Sequence, residues 1–231
     1  SSYAAWASTY RWERHYGYDY LYAGPLFTHQ LSHIWIDFRG IQDAFMRGKG
    51  SDYFENSRRA THVQRQYAIE NPFRFVGYRE CCWGITASDG PGPALLTVNG
   101  IERRFLDYVG RGVPHGPDDG TLAPWAVVAS LPFAPDIVLP AIDYCIHDLQ
   151  LKAGNAYGFK ATFNLTHPAK SGQQAGWVSP WHYGLNQGPI ILMIENHRSG
   201  MPWRLMRGCP YLARGLRRAG FAGGWLSPTP T

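Results

Sequence analysis

The sequence predicts an all-α fold, a toroid or bundle of about six helices, on three observations. Apolar residues recur at three- and four-residue steps while long alternating strands are absent. The helical stretches are separated by long loops of the kind that gather at one end of a helical body and form a cleft. Hydrophobic residues make up 45% of 231 positions, enough for a substantial core.

The elements follow in order. From Thr28 to Met46, residues Leu31, Ile34, Trp35, Phe38, Ile41, Ala44 and Phe45 keep helical spacing and predict one helix. The next begins at Asp52, which stands three residues before Glu55 in capping-box spacing, and ends at Asn71-Pro72. ALLTVNGIERRF is the strongest β signal: two short runs joined by Asn99-Gly100, the dipeptide that supplies the positive φ angles of a type I′ hairpin turn. Further helices are expected at Leu122–Ser130, Pro135–Leu151, Pro189–Ser199 and Pro202–Arg218, with Pro135 and Pro189 suited to a first helical turn. Between Gly154 and Gly188 the composition turns to Gly, Pro, Ser, Asn and Trp and predicts long loops or a lid.

Composition narrows function. Charged residues are 17% and aromatic residues 15%, an imbalance that favours carbohydrate or apolar ligands. The net charge of +5 is not drawn into one basic stripe; its densest group, Arg204, Arg207, Arg214, Arg217 and Arg218, reads as a solvated helix face, so nucleic acid is not an expected partner. No run of about 20 apolar residues predicts a membrane span, and no signal peptide is visible. Cys81, Cys82, Cys145 and Cys209 contain no CxxC pair, and free thiols are the simplest reading. The chain opens on Ser within an aromatic-rich stretch, which reads as a fragment of a longer protein.

The loop around Glu80 carries the strongest chemical signal. A glutamate among Tyr78, Trp83, Asp89 and several glycines combines a titratable carboxyl, aromatic faces for sugar rings and a backbone free to approach a ligand. It is expected at the wall of a pocket, where apolar neighbours raise a carboxyl pKa. His29, His33 and Asp37, spaced i, i+4 and i+8, would share a helix face. Metal ligation is one reading of that face, but HExxH logic is missing, and sugar-hydroxyl binding or a buried polar network is preferred; no metal or cofactor is expected. Arg39 with Asp43, and Glu55 with Arg59, fit ordinary helical ion pairs. Glu55, Asn56, Arg58 and Arg59 would form a positioning network if they faced a cavity. Asp89 in SDGP and the Asp118-Asp119 pair in DDGT fit turn chemistry. Phosphate-loop and GxSxG patterns are absent.

Six strings then carry a family resemblance: GPLFTHQLSHIWIDFRGIQDAFMR, DYFENSRRAT, GYRECCWGITASDGP, DDGTLAP, NQGPIILMIENHRSG and RGLRRAGFAGGWL. In this order they resemble the glucoamylase-like family that includes bacterial endo-β-1,2-glucanases and the transglycosylase domain of cyclic β-1,2-glucan synthases. The resemblance implies one domain over 1–231, the C-terminal half of an (α/α)6 barrel. It implies hydrolysis or transfer of β-1,2-linked glucan and a periplasmic or extracellular location. It makes Glu80 one catalytic carboxylate, with its partner in the upstream half. Substrate contacts then fall to His29, His33, Asp37, Arg39, Asp43, Glu55, Arg58, Trp83, Asp89, Asp119 and Gln187. Three positions depart from the family pattern: Cys81 stands for Asn, Ala161 for Asp, and Asn186 for the Asp before QGP. A carbohydrate-binding protein without turnover is the rival reading.

Overall fold

The computed structural model describes residues 2–152, 156–169 and 176–227; parts of the predicted Gly154–Gly188 loop lie outside them. The chain is helix-rich with small sheets. After α1 (Ser2–Ala7), β1 (Trp12–His15) and β2 (Tyr18–Leu21) form an antiparallel hairpin. Two 3-10 turns, Leu26–His29 and Leu31–Ile34, lead to α2 (Ala44–Gly48) and the long α3 (Tyr53–Glu70). Then come β3 (Ala87–Ser88), the β4 (Ala94–Val98) and β5 (Ile101–Phe105) hairpin, and β6 (Val109–Gly110), which pairs back on β3. Helices α4 (Pro124–Val128) and α5 (Pro135–His147) precede β7 (Phe163–Asn164) and β8 (Trp177–Val178). Helices α6 (Gly184–Arg198), α7 (Met201–Arg207) and α8 (Pro210–Arg218) follow, and the described part closes on a third 3-10 turn, Gly224–Leu226. Among the described residues, no helix is long and apolar enough to cross a membrane.

Local chemistry accounts for several boundaries. Asp52 caps α3 by accepting from the Glu55 amide at 2.8 Å, and Asn71 ends it in the left-handed conformation at φ 45°. Glu55 does not complete the capping box; its carboxylate goes to Arg58 and Arg59. Asn99 and Gly100 turn the β4–β5 hairpin with φ of 51° and 74°, as the sequence predicts.

The expected helix from Thr28 to Met46 is a correction. Its first part forms two 3-10 turns, and the second ends where side chains distant in sequence take carbonyls that a continuing α-helix would use. The Trp203 indole donates to the His33 carbonyl at 2.6 Å, and the Asn196 amide to that of Ile34 at 2.9 Å. Gln30, fully buried, bonds to the Ala126 carbonyl and the Ser130 hydroxyl instead of lying on a helix surface. The single helix expected over Pro202–Arg218 also divides, because Cys209 precedes Pro210 and takes an extended conformation (φ −80°, ψ 111°). Helix α6 starts at Gly184, so Pro189 lies inside it rather than in its first turn.

The main core is built around α4, whose five residues are all buried. Trp83 and Ile85 pack on it from one side, Ile137, Val138 and Ala141 from α5, and Met193 from α6. Gly84 allows this approach: at φ 117°, a Cβ there would stand 2.8 Å from Val127 Cγ2 and 2.9 Å from the Ala123 carbonyl oxygen. The Gly84 carbonyl instead accepts from the Ala123 amide at 2.9 Å, which threads residues 84–89 along the head of α4.

Candidate functional site

That threading brings Asp89 to a cavity of 310 Å3, within the range of about 300–1,000 Å3 common for small-molecule sites. Its walls are aromatic: Phe27 from the first 3-10 turn, Tyr108 beside β6, Trp125 from α4 and Tyr183 at the start of α6. Asn186 and Asp89 supply polar groups. Aromatic faces with a few directed polar atoms match a pyranose, whose C–H face is apolar and whose rim is hydroxylated. Asp89 is oriented by two hydroxyls: Thr162 Oγ1 donates to Oδ1 at 2.9 Å and Ser179 Oγ to Oδ2 at 2.6 Å. Each oxygen keeps a further lone pair for a sugar hydroxyl.

A buried ion pair holds this wall. Arg111, with no exposed surface, forms a two-point contact with Asp119 through Nε and Nη2, at 2.7 and 2.9 Å. Its Nη1 donates to the Ser88 carbonyl at 2.7 Å, next to Asp89, and Nη2 also reaches the carbonyls of Leu106 and Asp107. Burial alone would raise the Asp119 carboxyl; the guanidinium outweighs it and holds the group below the usual carboxylate range. Asn164 is likewise spent inward, donating to the Asp119 carbonyl and Thr121 hydroxyl at 3.0 Å each.

The other predicted site residues scatter. Glu80 is the main correction: its side chain is 72% exposed and lines neither this cavity nor the larger one described below, and its nearest cation is Arg65 at 3.8 Å. The chain turns so that the apolar neighbours, Cys82 and Trp83, enter the core while Glu80 faces outward. Trp83 is 1% exposed and offers no face to a sugar. Asp43 is fully buried; it caps α2 through the Met46 amide at 2.8 Å and accepts from the hydroxyls of Tyr3 and Tyr53 at 2.6 and 2.8 Å. Arg39 does not pair with Asp43. It binds Asp37 through Nε and Nη2, both at 2.8 Å, and lies over the Trp203 ring at 4.6 Å. Arg207 also contacts Asp37; burial opposes ionisation there, but the two guanidinium groups prevail and the carboxyl is lowered. Glu55 pairs with Arg58 and Arg59. Gln187 donates to the Phe159 carbonyl at 3.0 Å. All four cysteines are free.

His29 and His33 border a second, larger cavity of 730 Å3, lined also by Tyr3, Tyr10, Tyr53 and Tyr211. They do not share a helix face with Asp37. His29 contacts the Asn56 amide at 3.3 Å and the Ala23 carbonyl at 3.2 Å; His33 Nε2 lies 3.0 Å from the Ser57 hydroxyl. This is a buried polar network, and burial lowers His29 to about 4 and His33 to about 3. Both are therefore neutral in the folded protein at pH 7, whereas the unfolded chain titrates them near 6.5. Between those values the unfolded state binds more protons, so stability is full above about pH 6.5 and falls as pH drops toward 4, each histidine adding a slope approaching ~1.4 kcal/mol per pH unit. Urea midpoints measured from pH 7 to 4.5 should fall monotonically, and less steeply in His29→Gln. An equal slope in both proteins would contradict the assignment.

Sequence reasoning missed Arg111, Thr162 and Ser179, and the aromatic walls Tyr108, Trp125 and Tyr183. Arg111 lies eight residues before its partner with a turn between, so no helical or strand periodicity links them. Asp89 was legible because its SDGP setting lies in a string shared with the resembling family.

Comparison with known proteins gives the site a context. The model of the family described as "Putative glucoamylase" matches residues 1–210. The exo beta-1,2-glucooligosaccharide sophorohydrolase (non-reducing end) of Parabacteroides distasonis is 33% identical over 195 residues, 84% of this chain and 23% of that enzyme. A crystal structure of a "putative glucoamylase" from Bacteroides uniformis matches with TM-score 0.79 and 33% identity, over 96% of this chain and 48% of the other. The endo-beta-1,2-glucanase of Chitinophaga pinensis, in its sophorotriose and glucose complex, matches with TM-score 0.80 and 27% identity, over 96% and 49%. The chain thus spans under a quarter of the sophorohydrolase and about half of the two solved structures. On the family match over residues 1–210 and these likenesses in sequence and fold, the chain belongs to the family described as "Putative glucoamylase".

Proposed function

We propose that this chain is part of a glycoside hydrolase or transglycosylase acting on β-1,2-linked glucan, and that the cavity around Asp89 binds a glucosyl unit. The observation that carries the reading is Asp89 itself, oriented by Thr162 and Ser179 in an aromatic-walled cavity, in a chain similar to two β-1,2-glucan-cleaving enzymes. In the whole protein the helices form half of an (α/α)6 barrel that works in the periplasm or outside the cell. Glycosyl transfer breaks the C1–O bond, delivers a proton to the leaving oxygen and adds water or a sugar hydroxyl at C1, normally with two carboxyl groups. Among the described residues, Asp89 is the one carboxylate lining this cavity, so a second would come from beyond it. Glu80, the catalytic carboxylate that the resemblance implies, lines neither of the two cavities described above, whereas Asp89, a substrate contact on the same resemblance, lines the smaller one.

The test is release of reducing ends from β-1,2-, β-1,3- and β-1,4-glucan by the whole protein of which this chain is part. Turnover confined to the β-1,2-linked polymer is expected. Equal rates on all three, or turnover of another linkage alone, would remove the substrate assignment.

A second reading, sugar binding without turnover, is favoured by Asn186. It is 8% exposed in the wall of the same cavity, where the resembling family has Asp, so a charge is replaced by a neutral amide. If this reading holds, β-1,2-glucan binds without cleavage and Asn186→Asp gains hydrolysis. If the enzymatic reading holds, the unsubstituted protein already turns over.

A further inference from the structure

Glu13 and His15 stand two residues apart on β1, so their side chains leave the same face of the strand. His115 comes from a turn a hundred residues later. It is brought there by a close backbone crossing: a Cβ at Gly112 would stand 2.3 Å from the Gly24 carbonyl carbon, and the Val113 amide donates to the Gly24 carbonyl at 3.2 Å. As a result Glu13 Oε2 lies 2.8 Å from His15 Nε2 and 3.6 Å from His115 Nε2, and one ligand atom of each residue lies within 4.8 Å of the other two. Arg11 occupies the other carboxylate oxygen, Oε1, which leaves Oε2 to the imidazoles. The two rings meet edge to face, 4.9 Å between centroids and 72° between planes, so they converge on the oxygen rather than stack. Tyr20 and Tyr22 wall the cluster, each 5.9 Å from the His15 ring.

An ordinary hydrogen bond explains one of these imidazoles and not the other. His15 is at bonding distance from Glu13; His115, at 3.6 Å, is beyond it yet aims at the same atom. From these side chains we propose that Glu13, His15 and His115 form a binding site for a divalent transition cation of the zinc class, which fastens the His115 turn to the β1–β2 hairpin. Zinc bonds of about 2.0–2.2 Å place tetrahedral ligand atoms roughly 3.3 Å apart, a spacing bracketed by the observed 2.8 and 3.6 Å. Two imidazoles with one carboxylate suit zinc, nickel or copper; calcium and magnesium take oxygen shells. The His115 side chain is 54% exposed, so water can reach the fourth position. The neighbouring Arg11 charge opposes a cation and should keep affinity moderate.

Calorimetric titration with zinc chloride in a non-coordinating buffer tests this. One saturable site per chain is expected, weakened at least about tenfold by His115→Ala and by Glu13→Gln and unchanged by His147→Ala, which alters the exposed Asp143–His147 pair. Arg11→Gln should tighten binding. His115 is exposed, so its variant should fold as the parent does, which circular dichroism checks. Zinc should also raise the Tm of the parent and leave that of His115→Ala unmoved. Absence of a saturable site, or binding indifferent to His115→Ala, would overturn the proposal.

Discussion

Replacing Asp119 with Ala should destabilise the protein by about 3–5 kcal/mol, because it leaves the Arg111 guanidinium buried without its counter-charge. Neither side chain has exposed surface, so solvent cannot take over from the lost partner. Asp119 also accepts from the Leu106 and Thr121 amides, at 2.8 and 3.1 Å, and those donors would be orphaned together with Arg111. Against a domain stability of about 5–15 kcal/mol such a loss is large, and urea denaturation would show it as a lower midpoint. The double variant Arg111→Met with Asp119→Leu should recover part of the loss, since apolar residues need no partner. Native-state hydrogen exchange should place the greatest local change in residues 86–90, because Arg111 holds the Ser88 carbonyl. A double variant as unstable as the single one would mean that the buried charge is not the cause.

The second large effect is kinetic. Asp89→Asn keeps the shape of the side chain and removes its charge, and hydrogen bonds to charged groups contribute about 1.5–3 kcal/mol. On β-1,2-glucan it should lower kcat/KM by about tenfold to a hundredfold, while Glu80→Gln, on an exposed side chain, should change it by less than about threefold. Thr162→Val and Ser179→Ala, which remove the hydroxyls orienting Asp89, should give smaller losses in the same parameter. If Glu80→Gln abolishes turnover and Asp89→Asn leaves it intact, the chemistry lies on the outer face of the Glu80 loop and the present assignment fails.

Much of the fold was legible where local chemistry decides it. Asp52, Asn71 and the Asn99-Gly100 pair set their boundaries through their own side chains or φ angles, and neighbours in sequence suffice to predict them. The β1–β2 hairpin escaped notice because Tyr16 takes the left-handed position where Asn or Asp would have announced a turn; Tyr16 and Gly17 have φ of 51° and 84°. The Thr28–Met46 segment has helical spacing, but its carbonyl partners, Trp203 and Asn196, lie more than 160 residues away and leave no trace in a local window. The break at Cys209-Pro210 had a local signal in the proline.

The candidate site divides along the same line. Asp89 and Asn186 were reachable through motif strings, and both line the smaller cavity. Glu80, Trp83 and Asp119 come from the same motifs, but one faces solvent and two are buried, a difference set by how the loop meets α4 and by the Arg111 clamp. Residue type announced the chemistry each could perform, and only packing decides which of them can touch a ligand.

Titration of the protein with sophorotriose, followed by calorimetry, tests the central claim most directly because it needs no turnover. The cavity around Asp89 predicts saturable binding, weakened about tenfold or more by Asp89→Asn and reduced by Trp125→Ala, with Glu80→Gln binding like the parent. Binding that survives Asp89→Asn and is lost in Glu80→Gln, or no binding by a folded protein, would contradict it.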